Sequence, residues 1–230
     1  KDFRQQRHRW AYGSVQIMKA HAGAILPLAR GMNAAQKIQF ALGWARWWAD
    51  AIGLIASGVA IAWTLAAALM PLHLPPVSVT AAALAAVLVR SLASMALTRW
   101  ASGHGWGDTL GTALIGMSLS TTVGRAILKG LATRHEPFKV TAKGNGKKKA
   151  AVRFAALPEL VLAAALLGCA GLALWINWAQ TLELRLWSTL LCLMALPNVA
   201  AVAFAAADLV PEGLLRRIPL VGRALRTRTA

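Results

Sequence analysis

Residues 52–70 run for nineteen positions without a charged side chain. As a helix that run is about 28 Å long, close to the ~30 Å hydrocarbon thickness of a bilayer, and it is therefore expected to span one. Pro71, Pro75 and Pro76 then stop the helix in a short uncharged loop, and residues 78–97 return the chain through the membrane with one interruption, Arg90. Arg90 sits toward the end of its run; snorkelling to the near interface is the simpler expectation, lining a polar path the functional one. Residues 160–176 and 186–207 read as a second pair of spans, the last kinked at Pro197 and Asn198. The stretch 109–128 is apolar but holds Ser118, Ser120, Thr121, Thr122, three glycines and Arg125, and its apolar residues fall all round a helical wheel.

Charge settles its expected placement. The chain is 57 % apolar and only 14 % charged, yet its formal net charge is +17. Nucleic-acid binders of that charge present soluble basic faces rather than long uncharged runs, so no nucleic-acid partner is expected. With four spans and 109–128 in the interface, eight Lys and Arg fall in residues 1–51, ten in 98–156 and five in 209–230, or 23 of 25 on one side. By the positive-inside rule that side is the cytoplasm, with both ends there. The expected fold class is thus an all-α membrane protein of four transmembrane helices plus interfacial amphipathic helices and a cytoplasmic loop. Its regions are 1–51 (basic–aromatic and interfacial helices), 52–97 (helix pair), 98–156 (interfacial helix and basic loop), 157–208 (helix pair) and 209–230 (basic tail). Trp44, Trp47 and Trp48 mark a headgroup belt ahead of the first span. Cys169 and Cys192 each lie in an apolar run with no ligand at metal spacing, and read as small buried hydrophobes.

Two short stretches carry chemistry. In Gln5, Gln6, Arg7, His8, Arg9 and Trp10 no helix breaker occurs before Gly13, so Gln6, Arg9, Trp10 and Gly13 share one helical face. An indole stacks on the C–H face of a pyranose, and guanidiniums suit a diphosphate because they are planar and permanently charged. By itself a basic–aromatic helix beside a membrane is equally an interfacial anchor. The second stretch, Phe138, Lys139, Val140, Thr141, Ala142, Lys143 and Gly144, lies in a Gly- and Lys-rich segment that ends in Lys147, Lys148 and Lys149. By itself it reads first as a solvated linker that binds anionic lipid.

The first stretch resembles the Q-x-x-R-W motif, and the second the F-x-V-T-x-K-G gating loop, of processive family-2 glycosyltransferases, the group that contains bacterial cellulose, curdlan and hyaluronan synthases. Both stand in the family's order and on one expected membrane side. The resemblance implies that Trp10 floors the acceptor site, that Gln6, Arg7 and Arg9 border acceptor and donor diphosphate, and that Phe138, Val140, Thr141 and Lys143 close over the nucleotide. It also implies a nucleotide sugar (a UDP-sugar), a growing glycan and the bilayer as partners, and the bacterial inner membrane as location. Ala142 stands where many relatives have Pro, which leaves the loop less rigid.

The family's α/β domain, with D-x-D for the metal and T-E-D for the general base, precedes Q-x-x-R-W. The eight acidic residues here include no two adjacent or one apart. The chain opens at Lys1 without Met or signal peptide, and reads as the C-terminal piece of a longer enzyme. Mg2+ or Mn2+, the base and the N-terminal glycosyltransferase domain are expected outside it. The alternatives are a small transporter or channel, which would want broken helices in two corresponding halves, or a membrane-anchoring interaction module.

Overall fold

The computed structural model describes residues 2–26, 29–70, 72–103, 105–134, 154–176 and 181–209. All elements among them are helical: α1 (Asp2–His21), a 3-10 turn (Ala22–Ile25), α2 (Ala34–Leu69), α3 (Val77–Ser102), α4 (Trp106–Met117), α5 (Ser120–Ala132), α6 (Leu157–Ile176) and α7 (Leu182–Ala207). Of these, α2, α3, α6 and α7 are long and apolar enough to cross a bilayer, so the chain is an all-α, multi-pass membrane protein. Within their most apolar windows only 11–33 % of residues are buried by protein, which leaves the remaining apolar surface to lipid.

Helix α2 departs from the sequence reading. It starts at a capping box, in which Asn33 Oδ1 accepts from the Gln36 backbone and Gln36 Oε1 from that of Asn33, each at 2.9 Å. It then continues unbroken to Leu69, about 54 Å, so the belt tryptophans and the first span are one rod rather than separate helices. The ambiguous stretch resolves into α4 and α5, of 12 and 13 residues. At roughly 18 and 20 Å neither crosses a bilayer. Ser118 and Leu119 break the rod between them, the Ser118 hydroxyl bonding back to Ile115 O at 2.8 Å. A break shifts the helical phase, which is why one wheel drawn over 109–128 shows no polar face. Helix α7 runs through Pro197, whose missing N–H leaves the Leu193 carbonyl without an intrahelical donor.

Two apolar cores stack along the molecule. Ala60 of α2, Leu166, Cys169 and Ala170 of α6, and Trp187, Leu190, Leu191 and Ala195 of α7 form the one among the spans, with Ala83, Leu84 and Val87 of α3 against it. Inside it the Trp187 indole N–H donates to Thr64 Oγ1 at 2.9 Å, and Thr64 donates to Ala60 O at 2.8 Å, so both polar groups are satisfied. The other core joins Ala11, Tyr12 and Val15 of α1 to Ala51 of α2 and Val123, Ala126 and Ile127 of α5, with Trp47 and Trp48 packed on it. Those two tryptophans thus pack protein as well as marking a membrane level. Close approach here requires glycine. A Cβ on Gly124 would lie 2.7 Å from Asp50 O, and one on Gly130 would lie 3.0 Å from Val15 Cβ.

Two outcomes follow. Gly124→Ala should destabilise the protein by about 1–3 kcal/mol, because the obstacle is backbone. Gly111→Ala, whose Cβ meets nothing within 4 Å, should be neutral or stabilising by up to about 1 kcal/mol. Thermal unfolding in detergent reads both. In a background freed of Cys169 and Cys192, Gly13→Cys and Gly107→Cys should react with an impermeant maleimide from one membrane face and His73→Cys from the other. Reaction of Gly107→Cys from the His73 face would place α4 on the wrong side.

Candidate functional site

Helix α1 divides lengthwise. One flank is covered: Ala11 and Val15 are closed off and Tyr12 nearly so. Gln6, Arg9, Trp10 and Gly13 lie on the opposite flank, as the spacing predicts; Trp10 is 51 % exposed, and a Cβ at Gly13 would meet nothing within 4 Å. Gln6, Arg7 and Arg9 are half-buried. Arg7 is held by its own helix. Its guanidinium carbon lies 5.1 Å from the Phe3 ring centre and 5.3 Å from that of Trp10, at i−4 and i+3. The open stripe offers an indole face and an amide, and at its edge the Arg7 guanidinium, whose Nε is buried without a partner, is held between two rings. That set can stack a sugar and bind an anionic group beside it.

The covered flank does a second task. Helix α5 ends with backbone carbonyls that lack intrahelical donors. The Lys19 ammonium supplies them, donating to Gly130 O and Leu131 O at 2.7 Å and Thr133 O at 3.1 Å, a cation placed where the helix dipole favours one. Gln16 Nε2 donates to Gly130 O at 2.9 Å and Thr133 O at 3.2 Å, and the Tyr12 hydroxyl bonds Thr133 Oγ1 at 3.0 Å. At the other end of α1, Arg4 Nη1 donates to Ala155 O at 2.9 Å. The described residues on either side of segment 135–153 are thus tied to the same helix. Phe138, Val140, Thr141 and Lys143 themselves lie outside the described residues, as do the remainder of the basic loop and the tail beyond Leu209.

Where α1, α5, α6 and α7 meet, a polar junction interrupts the apolar packing. Glu159, in the first turn of α6 and 2 % exposed, accepts through Oε1 from Arg4 Nη1 and Thr122 Oγ1, each at 3.2 Å. One layer away Thr121 Oγ1 donates to Asn198 Oδ1 at 2.6 Å, and Asn198 Nδ2 to Met194 O at 3.4 Å. Sequence reasoning gave no role to Arg4 or Glu159, counted Thr122 only among the polar residues of 109–128, and treated Asn198 only as part of a kink. The available signal was an acid and an amide inside otherwise apolar runs, which only pay their desolvation cost when partnered. Arg90 pairs with Asp50 of α2 at 3.0 Å, and its side chain stays 57 % exposed.

At the far end of the spans a cavity of about 460 Å³ opens between α2, α6 and α7, with Thr64, His73, Thr181 and Glu183 among apolar walls. Comparison with protein-family models, curated proteins and solved structures finds no match to this chain.

The Thr121–Asn198 bond is testable as a pair. Thr121→Val or Asn198→Leu alone strands a buried polar partner and should cost about 1–3 kcal/mol, whereas the double substitution should cost less than the two singles summed. Equilibrium unfolding of the four proteins closes the cycle.

Proposed function

We propose that these residues are the membrane and acceptor-site portion of a processive, inverting family-2 glycosyltransferase. It polymerises a nucleotide-activated sugar, a UDP-sugar, into a polysaccharide at the cytoplasmic face of a bacterial inner membrane and passes the chain across. One observation carries the reading: the helix that carries Gln6, Arg7, Arg9 and Trp10 also anchors both sides of the segment that holds Phe138, Val140, Thr141 and Lys143. From Thr133 to Phe138 is five residues, a reach of at most about 18 Å. That length covers the two turns back from Tyr12 to Gln6, about 9 Å along α1.

In this reading the terminal sugar of the acceptor stacks on Trp10. Its hydroxyl attacks the anomeric carbon of the donor from the face opposite the leaving group, a new C–O bond forms, and the bond to the diphosphate breaks with inversion. Arg7 and Arg9 offset the charge that gathers on the departing nucleoside diphosphate. Phe138 stacks on the base, Thr141 bonds a phosphate oxygen, Lys143 adds charge, and Val140 packs beneath. The hydroxyl proton goes to a base on a glycosyltransferase domain outside these residues, where Mg2+ or Mn2+ also belongs. Among the described residues no three His, Cys, Asp or Glu side chains group as metal ligands would.

In the intact protein, Trp10→Ala should lower polymer synthesis by about 100-fold or more, since a lost stacking platform misplaces the acceptor. Phe138→Ala and Thr141→Ala should also cut synthesis, with membrane insertion unchanged. A lipid-anchoring segment makes the contrary forecast, because Lys147, Lys148 and Lys149 would each contribute about 1 kcal/mol at an anionic surface. Synthesis that survives Trp10→Ala, Phe138→Ala and Thr141→Ala but disappears with the three lysines replaced would overturn the glycosyltransferase reading of both motifs.

A further inference from the structure

Helix α1 is held along its two halves by different physics. Its buried apolar residues, Ala11, Tyr12 and Val15, all lie past Trp10, so the packed core grips the second half. The first half carries Gln6, Arg7, Arg9 and Trp10, and there the covered flank is polar. Arg4 makes three contacts at once, to Ala155 O ahead of α6 at 2.9 Å, to Glu159 Oε1 within α6 at 3.2 Å, and to Ala201 O of α7 at 3.4 Å. Two of those acceptors are neutral carbonyls; Glu159 supplies the charge. That carboxylate is 2 % exposed, receives Thr122 of α5 on the oxygen that Arg4 uses, and has its other oxygen, Oε2, buried without a protein partner. A carboxyl so enclosed depends on its cation, and the cation is thereby fixed in direction as well as place.

We infer that Glu159, acting through Arg4, is a positioning residue for the open stripe of α1, setting the rotation at which Arg7 and Trp10 face their ligand. The geometric link is short. Arg4 and Arg7 are one turn apart, and Arg7 is itself pinned between Phe3 and Trp10, so a rotation at Arg4 turns the whole stripe. The ligand named for that stripe, an acceptor glycan next to a nucleoside diphosphate, rests on the proposed function. The clamp does not, and the two can fail separately.

The experiment uses the intact protein in lipid nanodiscs, with Glu159→Gln, Arg4→Lys, and the double substitution Arg4→Met with Glu159→Met. The double change removes both charges at similar volume, and keeps the test available should Glu159→Gln fold poorly. Amide hydrogen exchange should rise about tenfold or more over residues 4–10 in Glu159→Gln and in the double variant, with residues 11–21 unchanged, and by a smaller factor in Arg4→Lys, which keeps the charge. In the same preparations the maximal rate of polymer synthesis from a nucleotide sugar should fall about tenfold or more while the donor KM stays within about twofold, with Arg4→Lys in between. Exchange that is unchanged over 4–10, or raised equally over all of α1, overturns the clamp. Faster exchange over 4–10 with an undiminished maximal rate overturns the positioning role. If the unsubstituted protein makes no polymer, the transferase reading falls, and the exchange pattern alone decides for or against the clamp.

Discussion

Within a bilayer a backbone N–H or C=O has no water to bond, and every other feature of this chain is arranged around that fact. Four of its helices run unbroken across the apolar slab, and several of their small polar side chains bond back to their own helix, although the Thr80 and Ser188 hydroxyls are buried without a partner. Ser57 reaches Gly53 O, Thr64 reaches Ala60 O, Ser91 reaches Val87 O, and Thr189 reaches Arg185 O, each at 2.7–2.8 Å. Breaks in the rods fall where other donors or acceptors exist: the proline-rich turn before α3, the left-handed Gly103 after it, and the Ser118 turn between α4 and α5.

The same constraint explains where polarity concentrates. Lipid-facing positions do not reward it, so the ion pairs and amides sit between helices. There Arg4 meets Glu159, Thr121 meets Asn198, and Asp50 meets Arg90. Each pair joins different helices: the first two tie α1 to α6 and α5 to α7, and the third ties α2 to α3. Apolar packing completes the job at Gly124 and Gly130, where the absence of a side chain lets α5 touch α2 and α1. Helix α1 consequently faces two ways. Its covered flank organises the protein, and its other flank leaves the Trp10 indole half exposed.

The sequence by itself determined the class and most of the architecture, because hydrocarbon thickness and the cost of burying charge act on local composition. Four apolar runs of span length became four helices, and the stripe of Gln6, Arg9, Trp10 and Gly13 followed from helical spacing alone. The break at Ser118 and Leu119 was not legible, since serine and leucine are both compatible with a helix and only packing against neighbours decides where the rod turns. Nor was the continuity of α2, where a belt of tryptophans and a span look like two segments until one helix is seen to carry both. Only the tertiary structure decided which polar residues meet. Arg4 and Glu159 are 155 positions apart, and Thr121 and Asn198 are 77 apart. A charge or amide in an apolar run announces that it needs a partner, but the identity of that partner depends on the rotation and register of whole helices, which composition and periodicity do not encode.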